Sequence, residues 1–400
     1  MIGLEEIEQA RVRIQEVVVD TPCLPSRTFS GELGVQAWFK YETLQLTGAF
    51  KVRGAYNKIS ALPRSKGVIA ASAGNHAQGV AFSAKRAGVP STIVMPKTTP
   101  LIKIENTRKL GGKVVLAGEV FDEAYEEAHA IACREGLAFV HPFNDPLVIA
   151  GQGTIGLEIL EQVPNVDVVV VPIGGGGLIS GIAMALKEKK PSVRVYGVQT
   201  AAAPSMAESF HARKILNCPA ARSVADGIAV KQPGDLTFEH VLRYVDDVET
   251  VTEDQIRSAI IRMLEVGKTV TEGAAAAALA AVTEHRFPGL EGKNVVMILS
   301  GANIDIALLA RIIDRSLVEF HRLVRFRTNV TDRPGALADL LQQIARGGGN
   351  VVRIQHDRVF KHAGFWEAQV DVTLETRNEE HIQELVELLS GAGYHVERLD

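Results

Sequence analysis

Lys51 lies in the segment Leu44-Gln45-Leu46-Thr47-Gly48-Ala49-Phe50-Lys51-Val52-Arg53-Gly54-Ala55, and it is the residue best placed for covalent chemistry. The segment reads as a short turn between an extended stretch and a helix beginning near Arg53. A lysine that forms an imine must be held still and partly dried, so that its amine is available near neutral pH. Gly48 and the small residues Ala49, Gly54 and Ala55 would let a flat ring approach the backbone closely. Lysines at helix starts are ordinarily solvated, so the weight falls on the segments read beside it.

Val166 to Ile173 is a continuous apolar run broken only by Asp167, the pattern of a buried parallel strand. It leads into Gly174-Gly175-Gly176-Gly177-Leu178-Ile179-Ser180-Gly181 and then a helical pattern from Ile182 to Lys189. Strand, glycine loop and helix together aim backbone N–H groups and a helix N-terminus at a phosphate. A flexible linker would lie between domains and not inside such a unit. Upstream, Gly67 to Ala71 reads as a strand, and Ser72-Ala73-Gly74-Asn75-His76-Ala77-Gln78-Gly79 opens a helix from Val80 to Ala87. A hydroxyl, an amide and free N–H groups there make a carboxylate site, or a plain helix cap with a spare asparagine. A third strand, Asn294 to Leu299, ends in Ser300-Gly301-Ala302-Asn303-Ile304-Asp305, at the strand end where open α/β sheets bind ligands.

In order and approximate spacing, TGAFKVRGA with Lys51, SAGNHAQG, GGGGLISG and SGANID resemble the fold-type II pyridoxal-phosphate enzymes, most closely the threonine dehydratases (threonine ammonia-lyases). The resemblance covers about residues 1–315, and the remainder resembles that family's regulatory ACT domain. It implies pyridoxal 5'-phosphate as cofactor, with Lys51 forming the imine and moving the α-proton, and Ser72 as a second catalytic residue. Phe50 resembles the residue packed beside the ring, and Asn75 the one bonded to the ring hydroxyl. Ser72, Ala73, Gly74, Asn75 and His76 match the cradle for the substrate carboxylate. Gly174, Gly175, Gly176, Gly177 and Leu178 match the phosphate loop, and Ser300 the residue facing the ring nitrogen. A serine hydroxyl cannot protonate that nitrogen as an acid would, so prompt loss of a β-leaving group is favoured over a long-lived carbanion.

The implied reaction is deamination of L-threonine to 2-oxobutanoate and ammonia in isoleucine biosynthesis, with some activity on L-serine. A serine dehydratase or racemase is the rival among enzymes, and a catalytically silent amino-acid sensor the rival of another class. Two departures from the family pattern bear on this. Ala49 stands where the family often has serine, which removes a hydroxyl but not the imine. Gln199 and Ser205 stand where related serine racemases and metal-activated dehydratases carry acids, so the pair of carboxylates that a divalent ion needs is missing and no metal is expected.

Gly151, Gly153 and Gly156 satisfy G-x-G-x-x-G ahead of a helix read over Thr154 to Gln162. Asn144-Asp145-Pro146 interrupts any strand before them, and the acid expected about 20 residues later falls in the glycine loop. Close packing of a helix on a sheet is the better reading.

These residues need an α/β frame to position them. Strands are expected at Val68–Ala71, Thr92–Met95 and Lys113–Leu116 in a smaller lobe of about residues 50–145. Val168–Ile173, Arg194–Gln199 and Val295–Leu299 follow in the larger one. Such alternation implies a two-lobed parallel-sheet catalytic domain, residues 1–318, with helices on both faces. Glu272, ahead of the helix Ala274 to Ala281, is placed near the active site by resemblance; its charge at a helix start is an alternative reason for it.

From 323 to 400 the pattern changes to strand Leu323–Val330, helix Leu337–Arg346, strands Val351–Val359 and Phe365–Leu374, helix Glu379–Leu389 and strand Tyr394–Arg398. This is the ferredoxin-like βαββαβ order. Asp332 to Leu337 (DRPGAL) and His356-Asp357-Arg358 resemble ACT domains, which implies an amino-acid effector beside Gly335 and Asn350; a purely dimerising domain is the alternative.

Composition sets outer bounds. A net charge of −4 over 400 residues, spread without blocks, gives no footprint for nucleic acid or membrane. No apolar stretch reaches the length of a membrane span, and no basic stretch precedes an apolar run near Met1. Three scattered cysteines fit a reducing cytoplasm without a disulfide frame. A homo-oligomer, dimer or tetramer, is expected.

Overall fold

The computed structural model describes residues 2–63, 67–219, 222–358 and 364–399. The chain divides into two compact units, Met1–Ile304 and Asp305–Asp400.

The first unit holds β1 (Cys23–Pro25), β2 (Gln36–Tyr41), β3 (Val68–Ala71), β4 (Ser91–Met95), β5 (Lys113–Leu116), β6 (Ala138–Phe139), β7 (Val168–Pro172), β8 (Arg194–Thr200), β9 (Asp247–Val251) and β10 (Asn294–Leu299). They form a six-stranded sheet in the order β1-β2-β10-β7-β8-β9 and a four-stranded sheet in the order β5-β4-β3-β6. Only β1 runs antiparallel to its neighbour. Strands such as β3 and β7 are buried at every position, as uninterrupted Val/Ile/Ala runs covered on both faces must be. The expected two-lobed parallel frame is present. Two-residue β6 escaped the sequence reading because so short a strand carries no periodicity.

The lysine segment differs in detail. A 3-10 turn, Glu42–Leu44, takes the place of the extended stretch, and Lys51 is the first residue of the helix Lys51–Ser60. No strand leads into the glycines, as read, and Asp145-Pro146 opens a helix that starts well before Thr154. Asp145 Oδ1 accepts from the amides of Leu147 (2.9 Å) and Val148 (3.2 Å) at the head of the helix Pro146–Gln162. Proline at the first helical position loses no bond, because that amide has no partner in the helix.

Gly151, Gly153 and Gly156 lie inside this helix and mark helix-on-helix contacts, not the helix-on-sheet contact expected. A Cβ on Gly151 would stand 2.6 Å from both Arg53 O and Gly54 Cα, and one on Gly153 would stand 2.3 Å from Ile7 Cδ1. A Cβ on Gly181, in the helix Gly177–Lys189, would stand 2.5 Å from Gly153 N. Three helices therefore meet backbone to backbone behind the lysine.

Arg53 adds a second anchor two residues beyond Lys51. Fully buried, it holds both oxygens of Glu42 at 2.8 Å and those of Glu158 at 2.5 and 2.9 Å, while Lys40 Nζ reaches Glu158 Oε2 at 2.6 Å. Two cations and two carboxylates balance, which is what allows these charges to be buried at all.

The second unit opens with the helix Ile306–Glu319, which groups here although the sequence division ran at 318. It continues with β11 (Leu323–Thr331), the helix Ala336–Arg346, β12 (Asn350–Asp357), β13 (Glu367–Glu375), the helix Glu379–Gly391 and β14 (Glu397–Arg398). The sheet is antiparallel in the order β12-β13-β11-β14, the ferredoxin-like arrangement. Val324, Phe326, Leu340, Val370 and Leu385 form its core. β12 ends at Asp357, and Val359 lies outside the described residues. Phe365 and Trp366 precede β13 and are 90% and 76% exposed. Among the described residues no helix is long and apolar enough to cross a membrane.

Candidate active site

The lysine loop is stitched to the end of β10. Phe50 N donates to Ser300 O (3.1 Å) and Ala302 N to Gly48 O (2.8 Å), around a bridge between Ala49 and Gly301. Gly48 takes φ +70°, and a Cβ there would stand 2.7 Å from Asn303 Oδ1, so glycine is required twice over. Ala49 is buried; a Cβ on Gly301 would come within 3.0 Å of its methyl group. Ser300 is 2% exposed.

Lys51 is half-buried, with its Nζ 2.9 Å from Pro142 O and 5.0 Å from the centroid of the Phe50 ring. Burial lowers its pKa to about 8, against a smaller pull from Glu272 that raises it. The helix behind it packs closely, since a Cβ on Gly79 would stand 3.1 Å from the Lys51 carbonyl carbon.

Asn75 is the first residue of a helix running to Ala87, which begins earlier than the sequence reading placed it. Its Nδ2 donates to Glu272 Oε1 and Oε2 at 2.8 and 3.0 Å, and its Oδ1 accepts from Asn303 Nδ2 at 2.8 Å. Glu272 occupies the cap position of the helix Gly273–Thr283 yet caps nothing with its side chain, which is turned to Asn75 instead. Burial pushes its carboxyl up to about 7, against the bond from Asn75 that lowers it.

Ser72, Ala73 and Gly74 are half-buried beside Asn75, and Ser72 Oγ accepts from Gly74 N at 3.2 Å. His76 turns away: its Nε2 lies 2.8 Å from Val140 O, and burial pushes the imidazole down to about 3. Its Nδ1 is buried with no hydrogen-bond partner among the described residues.

Each glycine of the loop is needed for packing. A Cβ on Gly175 would lie 2.4 Å from the Phe143 ring and one on Gly177 2.8 Å from Phe143 Cβ. One on Gly174 would lie 3.0 Å from Gly227 O, and one on Gly176, at φ +95°, 2.7 Å from Met206 Cε. Thr237 Oγ1 ties the loop down through Gly175 O at 2.6 Å. No side chain caps the helix Gly177–Lys189, so the amides from Gly174 to buried Leu178 meet no competing side-chain acceptor there. Pro142-Phe143 joins the two halves of the site: the carbonyl of one takes the lysine amine, and the ring of the next lies against the glycine loop.

Gln199 and Ser205 are turned to a structural task. Gln199 Oε1 accepts from the amides of Met206 (2.8 Å) and Ala207 (3.1 Å), its Nε2 donates to Ser205 Oγ (3.4 Å), and Ser205 Oγ donates to Val230 O (2.6 Å). Gly335 and Asn350 belong to the second unit. Gly335 takes φ +91° at the head of a helix, and Asn350 Nδ2 donates to Glu375 Oε2 at 2.7 Å.

Sequence reading gave no role to Asn303, Pro142, Phe143 or Thr237. Asn303 sat inside a quoted motif, so its signal was present; the other three lie in unremarkable loops and one helix.

The chain is 49% identical over 399 residues to an L-threonine ammonia-lyase of Thermotoga maritima, which spans 99% of both chains. Among solved structures it resembles the processed form of threonine deaminase isoform 2 from Solanum lycopersicum, at TM-score 0.74 and 40% identity over 78% of this chain and 89% of that one. It also resembles maize serine racemase, at TM-score 0.75 and 36% identity over 80% of this chain and 99% of that one. The sequence pattern of the pyridoxal-phosphate dependent enzymes matches residues 14–301, the span that carries the lysine, the glycine loop and Ser300, and the chain belongs to that family.

Proposed function

We propose that this chain is an L-threonine ammonia-lyase, converting L-threonine to 2-oxobutanoate and ammonia, with L-serine as a lesser substrate and isoleucine synthesis as its setting. The observation that carries this reading is the Lys51 amine, lowered to about 8 and held on Pro142 O, beside a strand whose end carries the hydroxyl of Ser300. The donor set suits the cofactor: a glycine loop with bare amides for a phosphate, an amide N–H for a ring oxygen, and a neutral hydroxyl for a ring nitrogen.

Pyridoxal phosphate, when bound, supplies an electron-withdrawing ring that acidifies the α-hydrogen of an attached amino acid. Lys51 takes that proton at Nζ, a task for which a lowered pKa is suited because the neutral amine is the base. The amides of Gly174 to Leu178 hold the phosphate, Phe50 packs beside the ring and Asn75 donates to its oxygen. Ser300 leaves the ring nitrogen unprotonated, which favours early departure of the β-hydroxyl. The backbone from Ser72 to His76 orients the substrate carboxylate. Ser72 Oγ, already accepting from Gly74 N, keeps its own proton for the departing hydroxyl. The water lost in elimination is regained when nitrogen leaves as ammonia.

The second unit is read as an ACT-like sensor of a branched-chain amino acid near Gly335 and Asn350, in a homo-oligomer. Its strand order, the exposed Val352 and Ile354 on edge strand β12 and the open space around Gly335 support this. Such an effector acts only if it binds one quaternary arrangement better than another. Free Cys23, Cys133 and Cys218 support a cytoplasmic setting.

The test is 2-oxo acid formation by the full-length protein from L-threonine and L-serine, with and without isoleucine or valine. Failure to form 2-oxobutanoate overturns the reading, and D-serine as the main product from L-serine would make the protein a racemase. No response to any amino acid leaves the second unit an assembly role only.

A further inference from the structure

Side-chain amides have two faces that differ only in which carries the donor, and something must decide between them. For Asn75 the decision can be traced to a backbone atom. Thr47 O can only accept, and Asn303 Nδ2 donates to it at 2.7 Å, so the nitrogen of Asn303 must face that way. The same nitrogen donates to Asn75 Oδ1 at 2.8 Å, which fixes the oxygen of Asn75 toward Asn303. The nitrogen of Asn75 is then left toward Glu272, at 2.8 and 3.0 Å from its two oxygens. Those oxygens lie too close together to be met by separate trigonal N–H bonds, so they share one and the second N–H remains to be donated. Gly48 belongs to the same device, because a side chain there would strike Asn303 Oδ1.

Resting on the function proposed above, we propose that Asn303 and Glu272 are positioning residues that hold the amide of Asn75 with its nitrogen toward the cofactor's ring oxygen. An ionised ring oxygen accepts and does not donate, so a flipped Asn75 would set two acceptors against each other, a reversal that costs more in a buried site than in water. The elevated carboxyl of Glu272, near 7, does not disturb the scheme, since a protonated carboxyl still keeps one acceptor oxygen for Asn75.

The test is a double-mutant cycle on cofactor affinity, read by titrating the cofactor-free full-length protein with pyridoxal phosphate and following the visible band. Asn303→Asp places an acceptor against Thr47 O and Asn75 Oδ1. It should weaken binding about tenfold and shift the visible maximum as Asn75→Ala does. In the Asn75→Ala background, Asn303→Asp should cost nothing further, because its effect runs through Asn75. Glu272→Leu should weaken binding similarly, while Glu272→Gln, which keeps an acceptor oxygen, should restore it. If Asn303→Asp does not fold, Asn303→Ala takes its place in the cycle. Additive losses in the double variant, or equal losses in Glu272→Gln and Glu272→Leu, would overturn the proposal. Wild-type affinity in Asn75→Ala, or no binding by the unaltered protein, would instead overturn the functional reading beneath it.

Discussion

The amine of Lys51 rests 2.9 Å from the carbonyl oxygen of Pro142, a neutral acceptor and not a carboxylate. Nothing in direct contact therefore offsets the burial that brings its pKa down to about 8. In the cofactor-free protein the reactive neutral amine predominates above that value and falls about tenfold for each pH unit below it. The rate at which the visible band forms on adding pyridoxal phosphate should rise with pH and level off above about 8. Lys51→Ala should form no band that survives borohydride and dialysis, and should not turn over threonine.

Ser300 sets the reaction type in the proposed function. Ser300→Asp should place a proton on the ring nitrogen, lower 2-oxobutanoate formation at least about tenfold (each tenfold being about 1.4 kcal/mol in barrier), and change the visible spectrum. An unchanged rate with an unchanged spectrum would place the ring nitrogen elsewhere.

Gln199 spends its side-chain oxygen on the start of the helix Ser205–Ala212, and the Ser205 hydroxyl donates to Val230 O. Threonine turnover should accordingly be the same with and without excess chelator. A large loss restored by magnesium contradicts this and revives the racemase alternative.

His76 is neutral in the fold down to about pH 3, while in the unfolded chain it takes a proton near 6.5. Its folded pKa is depressed, so the unfolded state binds more protons below 6.5 and stability falls as the pH falls. By pH 5 this amounts to about 2 kcal/mol. His76→Gln should lose less stability than wild type between pH 7.5 and 5, measured by urea unfolding.

Gly151 has no room for a methyl group. Gly151→Ala drives a Cβ to within 2.6 Å of Arg53 O and Gly54 Cα, an overpacking cost of about 1–3 kcal/mol or more. A lowered thermal midpoint should appear, accompanied by weaker cofactor retention because Lys51 rides on the displaced helix.

Much of the parallel frame was legible because strands such as β3 and β7 are apolar runs, and the ferredoxin-like tail because β11 and β13 alternate. β9, Asp247–Val251, with two acids among five residues, went unread. Lys51, Asn75, the glycine loop and Ser300 stood out through residue type and motif order. What escaped depends on contacts across the chain. Resemblance placed Glu272 near the site, but its bond to Asn75 spans 197 positions, and no local pattern announces that partner. Asp145-Pro146 was read only as interrupting a strand, and its part as a helix start, where the missing N–H is harmless, went unread. Arg53 was named only as a helix start, since the carboxylates that permit its burial, Glu42 and Glu158, lie in separate segments.

The bridge between Ala49 and Gly301, with β2 lying against β10, also fixes when this protein can acquire chemistry. The strand leading to the lysine has its parallel neighbour near the other end of the first unit, and the segments between cannot supply it. During synthesis the lysine loop leaves the ribosome long before its partner exists. The closure of so large a loop belongs to the slow, non-local class of folding events. Until β10 inserts, the loop around Lys51 lacks the strand end that it is bridged to.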